Sequence, residues 1–232
     1  MPNILKVRLN YRTSDMAIHR PFLGAVLTGD IVNSTQLTFK QEKALIDDLR
    51  FVLGRFFGDN QYEFFRGDSF QVLLKGATRA LQLALSCRSL ARSIAANEGT
   101  TPIFDIRISI GIGEVNTPVK SLSLAKGEAF LLSGRQFDLL KEREKRLAIN
   151  SFDPVASIGF QVMADYLDSI YGNMTVKQAD VIVELLRGIT QQQLAVSREK
   201  SKSTVSELAS AGRWQEIEKI LGQYETLINL IL

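Results

Sequence analysis

Ala25-Val26-Leu27-Thr28-Gly29-Asp30-Ile31-Val32-Asn33-Ser34-Thr35 is an apolar run that ends in one carboxylate and passes through a polar loop into a helix pattern. A metal and a phosphate can meet at such a place. A second stretch, Phe64-Phe65-Arg66-Gly67-Asp68-Ser69-Phe70, reads as two apolar strands with Gly67-Asp68 as the tight turn of a β-hairpin. Two acids then converge from separate strands.

Strands and helices alternate around these stretches. Residues 22–30 read as a strand, and residues 38–57 place Ala44, Leu45, Leu49, Val52, Leu53 and Phe56 at helical spacing. Residues 62–66 and 69–74 form the hairpin, and residues 77–97 a second long helix. The clearest strand is 104–112, where Phe104, Ile106, Ile108, Ile110 and Ile112 alternate onto one face before Gly113-Glu114. After a Ser/Pro/Lys-rich loop at 116–126, Gly127 leads a helix through Phe130, Leu131, Phe137 and Leu140. The charged run 141–146 reads as its solvated end. The order β-α-β-β-α-β-α predicts a ferredoxin-like palm in which the first strand lies beside the hairpin. Asp30 and Asp68 are then neighbours.

Composition bounds what such a site can belong to. The chain has 232 residues, 45% hydrophobic and 23% charged, enough for a sizeable core in one or two domains. No apolar run approaches the roughly 20 residues that span a bilayer, and residues 1–20 lack the apolar stretch of a signal peptide, so the expected compartment is the cytoplasm. Cys87 falls in the apolar pattern of a helix and reads as a small core residue, not a nucleophile. The only histidine, His19, lies in the polar leader, so any metal must be held by oxygen. Net charge is +3; residues 151–174 carry three Asp and no Lys or Arg, and residues 175–232 are balanced. The positive excess therefore lies with the two-acid segment. It suits a triphosphate, with solvated surface lysines as the plain alternative.

Four motifs, Asp30-Ile31-x-x-Ser34-Thr35, Gly67-Asp68-x-Phe70, Arg107-x-Ser-Ile-Gly-Ile-Gly-Glu114 and Gly127-Glu-Ala-Phe-x-x-x-x-Arg135, stand in the order and approximate spacing of the class III nucleotidyl cyclase catalytic domain. Residues 22–150 resemble that domain. With its C-terminal helices, the whole chain resembles the bacterial SatD family, a cyclase-like domain carrying a helix-turn-helix. The resemblance implies that Asp30 and Asp68 hold two divalent cations, Mg²⁺ or Mn²⁺, with the Ile31 carbonyl as a further ligand, for binding a nucleoside triphosphate. It also implies phosphate binding at Asn33, Ser34 and Thr35 before the first helix, although Ser34 or Thr35 has the alternative of a simple helix N-cap. The arginine that stabilises charge on the α-phosphate is retained as Arg135. The purine-selecting lysine position is Phe64, and the ribose-orienting asparagine position is Leu131, which cannot hydrogen-bond.

Beyond Asp153-Pro154 the pattern is helical. A helix at 155–171 breaks at Gly172-Asn173, and Thr175 caps another at 176–186. Gln191 to Ala195 with Val205 and Leu208 has the spacing of a helix-turn-helix. Its second helix opens at Ser201-Lys202-Ser203-Thr204, and Arg198, Lys200 and Lys202 supply positive charge for DNA phosphates. The turn holds Arg198-Glu199-Lys200 where such motifs keep apolar, glycine and apolar residues, so a small helical interaction module is the competing reading. Residues 212–232 place Trp214, Ile217, Ile220, Tyr224 and Ile228 on one helix face, for core closure or a dimer seam.

The fold class expected is α+β: an N-terminal extension (1–21), a ferredoxin-like palm of the class III nucleotidyl cyclase type (22–152) and a small all-α helix-turn-helix domain (153–232). The function expected is a homodimeric regulator that binds nucleotide and metal through the palm and DNA through the helix-turn-helix, with no membrane partner. The alternative is a metal-dependent nucleotidyl cyclase or other nucleotide-converting enzyme whose C-terminal helices only dimerise the chain.

Overall fold

The isoleucines of residues 104–112 decide the architecture. A computed structural model, which describes residues 21–55, 61–65, 67–94 and 104–232, places them on one inner strand of a five-stranded mixed sheet. Residues 1–20, with His19, and the positions Phe56, Arg66 and Asn97 lie outside the described residues. Strand β1 (Phe22–Val32) is followed by helix α1 (Phe39–Arg55), strands β2 (Gln61–Phe65) and β3 (Ser69–Leu74), helix α2 (Ala80–Arg92) and strand β4 (Asp105–Val115). Helix α3 (Glu128–Glu142) and strand β5 (Leu147–Ser151) complete the sheet, whose order is β2-β3-β1-β4-β5. Its first four strands are antiparallel neighbours in the ferredoxin-like arrangement, and β5 adds to β4 in parallel.

The two faces of β4 differ because its residues alternate. Ile106, Ile108, Ile110 and Ile112 are fully buried against the α1 and α2 side. On the opposite face Gly111 lets α3 approach so closely that an added Cβ would lie 2.2 Å from the Ala129 carbonyl oxygen. Helix α3 is thereby seated on β1 and β4, which positions everything it carries.

Three local details differ from the sequence pattern. Helix α1 begins at Phe39, because Thr38 and Gln41 exchange capping hydrogen bonds, while Ser34–Gln36 form a separate 3-10 turn entered by Asn33 at φ 61°. The hairpin's last pair is Phe65 with Ser69, one residue short of a strand running to residue 66, with Gly67 at φ 87°. The charged end of α3 is followed by β5, which periodicity did not indicate because nearly all of its side chains are buried, leaving no alternation to read.

Five helices follow: α4 (Pro154–Gly172), α5 (Val176–Leu186), α6 (Gln191–Ser197), α7 (Lys202–Ala211) and α8 (Trp214–Ile231). Asp153 caps α4, and Thr175 with Gln178 forms a capping box on α5. One hydrophobic cluster runs from the sheet through α4, α5 and α8. Tyr224 of α8 is fully buried and donates to the Ala77 carbonyl at 2.9 Å, so the last helix closes the core. Gln82 of α2 donates to the Leu186 carbonyl at 2.7 Å. No helix among the described residues is long and apolar enough to cross a membrane.

Candidate functional site

Strand β1 ends beside the hairpin turn, and its register with β4 sets Asp30 directly opposite Arg107. Both point to the α3 face, as Thr28 does two residues earlier, where it accepts from Ser133 of α3 at 2.8 Å. Arg107 Nη1 reaches both Asp30 oxygens, at 3.0 and 3.2 Å, and Lys141 from the end of α3 lies 3.6 Å from Oδ2. Burial pushes the Asp30 carboxyl above its ordinary value; Arg107 and Lys141 oppose that shift, and the Asp68 charge adds to it. The two acids therefore feel each other, as the adjacency of β1 and the hairpin requires.

Asp68 is linked back to the loop after β1 in two ways. Its Oδ2 accepts from the Ser34 hydroxyl at 2.9 Å, and its carbonyl accepts from the Ile31 N–H at 3.1 Å. The structure thus brings Asp30, Ile31, Ser34 and Asp68 together. Asn33 and Thr35 lie in the same loop, but the α1 N-terminus is four residues further on and capped by Thr38. Two carboxylates and a carbonyl are the oxygen chemistry that Mg²⁺ or Mn²⁺ prefers. As arranged they do not fit a pair of such ions, because Asp30 is already matched by a guanidinium and an ammonium, and among the described residues no three His, Cys, Asp or Glu side chains converge.

Arg135 lies elsewhere on α3. Ser133 and Phe137 face the sheet, and two residues of helix turn the side chain by about 200°, so Arg135 points outward. It is exposed and makes no hydrogen bond or ion pair among the described residues. Leu131, one turn earlier, is 57% exposed. Phe64 is engaged in packing, with its ring 5.7 Å from that of Phe70 and the Arg50 guanidinium 5.4 Å from its centre.

The C-terminal polar residues cluster where α6 turns into α7. Lys200 N–H donates to the Ala195 carbonyl and Glu199 N–H to the Val196 carbonyl, with Glu199 at φ 50°, which ends α6 as a left-handed cap. Ser201 caps α7 by accepting from the Thr204 N–H at 3.0 Å, and its hydroxyl also meets those of Ser203 and Thr204 at 2.8 Å. Lys200, Lys202, Ser203 and Thr204 are exposed, whereas Arg198 is paired with Asp180 at 2.9 Å. The face carries Lys200 and Lys202, which make no ion pair among the described residues, and three hydroxyls.

Sequence reasoning passed over a second, buried charged cluster, centred on Arg88. Arg88, 1% exposed, binds Asp105 through two nitrogens at 2.9 and 3.0 Å and Asp168 at 2.6 Å, and its guanidinium lies 4.6 Å from the centre of the Tyr171 ring. Arg92 adds bonds to Asp105 at 3.1 Å and to the Met174 carbonyl at 2.9 Å. Asp168 in turn accepts from the N–H groups of Arg146 and Leu147. Burial raises the Asp105 carboxyl, but the two arginines and the Ile106 N–H outweigh it and hold the group below its ordinary value. Arg107 and Lys141 were missed as partners of Asp30 too, although β4 alternation already set Arg107 on the face opposite the isoleucines.

No protein-family model matches the chain, and no curated protein matches it. Among solved structures it is similar to a bacterial light-regulated adenylyl cyclase, at 14% identity and a TM-score of 0.40 over 56% of this chain and 43% of that one. A second structure of a bacterial light-regulated adenylyl cyclase gives 15% identity and the same TM-score and coverage. The guanylyl cyclase Cya2 is similar at 19% identity and a TM-score of 0.38, over 52% of this chain and 72% of that one. The chain spans less than half the length of the light-regulated cyclases.

Proposed function

We propose that this chain is a cytoplasmic, nucleotide-binding regulator of the SatD type, with a cyclase-like palm (22–152) as the sensor and a helix-turn-helix (within 153–232) as the DNA reader. The observation that carries it is the convergence of Asp30, Ser34, Asp68, Arg107 and Lys141 from separate segments at one end of the sheet. Arg107 and Lys141 are the cations that a nucleoside triphosphate would meet there. The DNA reading is supported by the turn. Glu199 takes the left-handed conformation where helix-turn-helix motifs keep glycine, and Lys200, Lys202, Ser203 and Thr204 are presented outward.

The same geometry supports a homodimer if Arg135 acts at this site. Arg135 points away from its own Asp30, so it serves a phosphate at this site only from a second copy. A second reading is a metal-dependent nucleotidyl cyclase or other nucleotide-converting enzyme, which the adjacency of Asp30 and Asp68 suggests and the pairing of Asp30 with Arg107 and Lys141 opposes. Leu131 and Phe64 weigh against it, since neither can orient a ribose or select a purine. The test is incubation with each of the four ribonucleoside triphosphates and Mn²⁺, mass spectrometry of the products, and equilibrium binding of nucleotide and of a random duplex pool. Bound, unchanged nucleotide with selective duplex retention is expected. A new product lost in Asp30→Ala would make the chain an enzyme, and neither nucleotide nor duplex binding would refute the regulator.

A further inference from the structure

Asp30 is 14% exposed and Arg107 15%, whereas Lys141 is 50% exposed, so the ammonium covers the solvent side of a carboxylate that the guanidinium holds from within. Lys141 is not a loose surface group. Its Nζ sits 4.7 Å from the centre of the Phe137 ring, on the helix that Gly111 allows against the sheet. An ammonium has three donors, and Asp30 engages one direction, which leaves the others toward solvent. Arg107 Nε is buried and without a hydrogen-bond partner among the described residues, an unmet donor beside the same carboxylate. The charges of Asp30, Asp68, Arg107 and Lys141 sum to zero before any ion enters, and a divalent cation would have to displace Lys141 to reach Asp30.

We propose that Lys141, with Arg107, takes the place of a divalent cation at Asp30, so that this end of the palm holds a phosphate-bearing ligand by side-chain cations without metal. The proposal rests on the nucleotide reading, which its test separates from it. Mn²⁺ alone is titrated into wild type, Lys141→Gln and Lys141→Arg, followed by water-proton relaxation, and ATP, GTP, CTP and UTP are titrated in EDTA and in Mn²⁺. The expected result is that Lys141→Gln tightens Mn²⁺ binding by about tenfold or more while Lys141→Arg restores wild-type behaviour. Nucleotide binding is expected to be the same in EDTA and Mn²⁺ for wild type and to weaken about tenfold in Lys141→Gln. Nucleotide bound only with Mn²⁺, or unchanged Mn²⁺ affinity in Lys141→Gln, overturns the proposal and leaves the nucleotide reading standing. Absence of nucleotide binding in both buffers refutes the nucleotide reading and the ligand half of the proposal, and the Mn²⁺ titration then decides whether Lys141 occupies the cation's place.

Discussion

Replacing Asp105 by Asn keeps the shape of the side chain and removes one charge from the buried cluster. Its amide would meet Arg88 Nη2 or Arg92 Nη1 donor to donor, where the carboxylate now accepts at 2.9 and 3.1 Å. Arg88 would keep only Asp168 as a charged partner and Arg92 none, and both are at most 8% exposed. Removing one member of a buried ion pair costs about 3–5 kcal/mol, which for a chain of this length lowers the melting temperature by roughly 10 °C. The pH dependence adds a second check. Because the folded carboxyl lies below its ordinary value of 3.8, its stabilisation is fully present above that value and is lost as pH falls through the lower, folded one. The gap between wild type and Asp105→Asn should therefore narrow in acid. Urea unfolding followed by the fluorescence of Trp214, the only tryptophan, measures it at pH 7 and near pH 3. A cost below about 1 kcal/mol, or a gap unchanged in acid, would show that the arginines find other partners.

Gly111→Ala should destabilise by about 3 kcal/mol in a thermal melt, because the new methyl group meets the α3 backbone at 2.2 and 2.5 Å, and a neutral result would mean that α3 is free to shift. Tyr224→Phe removes only the hydroxyl that bonds the Ala77 carbonyl and should cost about 1–2 kcal/mol; an unchanged urea midpoint would argue against the α8 docking. Lys202→Gln should leave stability within about 0.5 kcal/mol. If α7 contacts phosphates, the slope of log affinity against log salt in DNA anisotropy should fall by about one, and an unchanged slope removes Lys202 from the interface.

Periodicity made some elements legible and concealed others, for identifiable reasons. The alternation of Ile106 to Ile112 marked β4, and Thr175 marked the start of α5, because one face of each is apolar and the cap is a local signal. Strand β5 was hidden because Leu147, Ala148, Ile149 and Ser151 are all buried, so the period of two is erased. The neighbourhood of Asp30 and Asp68 followed from the order of strands, since a hairpin between two βα units brings the first strand beside it. What holds Asp30 did not follow, because Lys141 lies in a charged run and charged runs are read as solvated. Arg88 was overlooked for a related reason. A charge on an apolar helix is assigned to the surface unless its partner is known, and its partners Asp105 and Asp168 are distant in sequence.

The buried cluster also restricts how ligand could influence DNA in the proposed regulator. Asp168 and Tyr171 are on α4, Met174 precedes α5, and all three are tied to Arg88, Arg92 or Ser89 of α2. Together with the Tyr224 and Gln82 bonds and the shared core, they fasten α5 and α8 to the palm, and α6 and α7 pack on these helices. A hinge near residue 153 would break buried charge-assisted bonds worth several kcal/mol in total, more than the 1–3 kcal/mol typical of allosteric coupling. Within one chain, then, these bonds oppose separate movement of palm and helices. Ligand-dependent spacing of two DNA-reading helices would have to arise between copies, at the palm surface where Arg135 and Leu131 point outward.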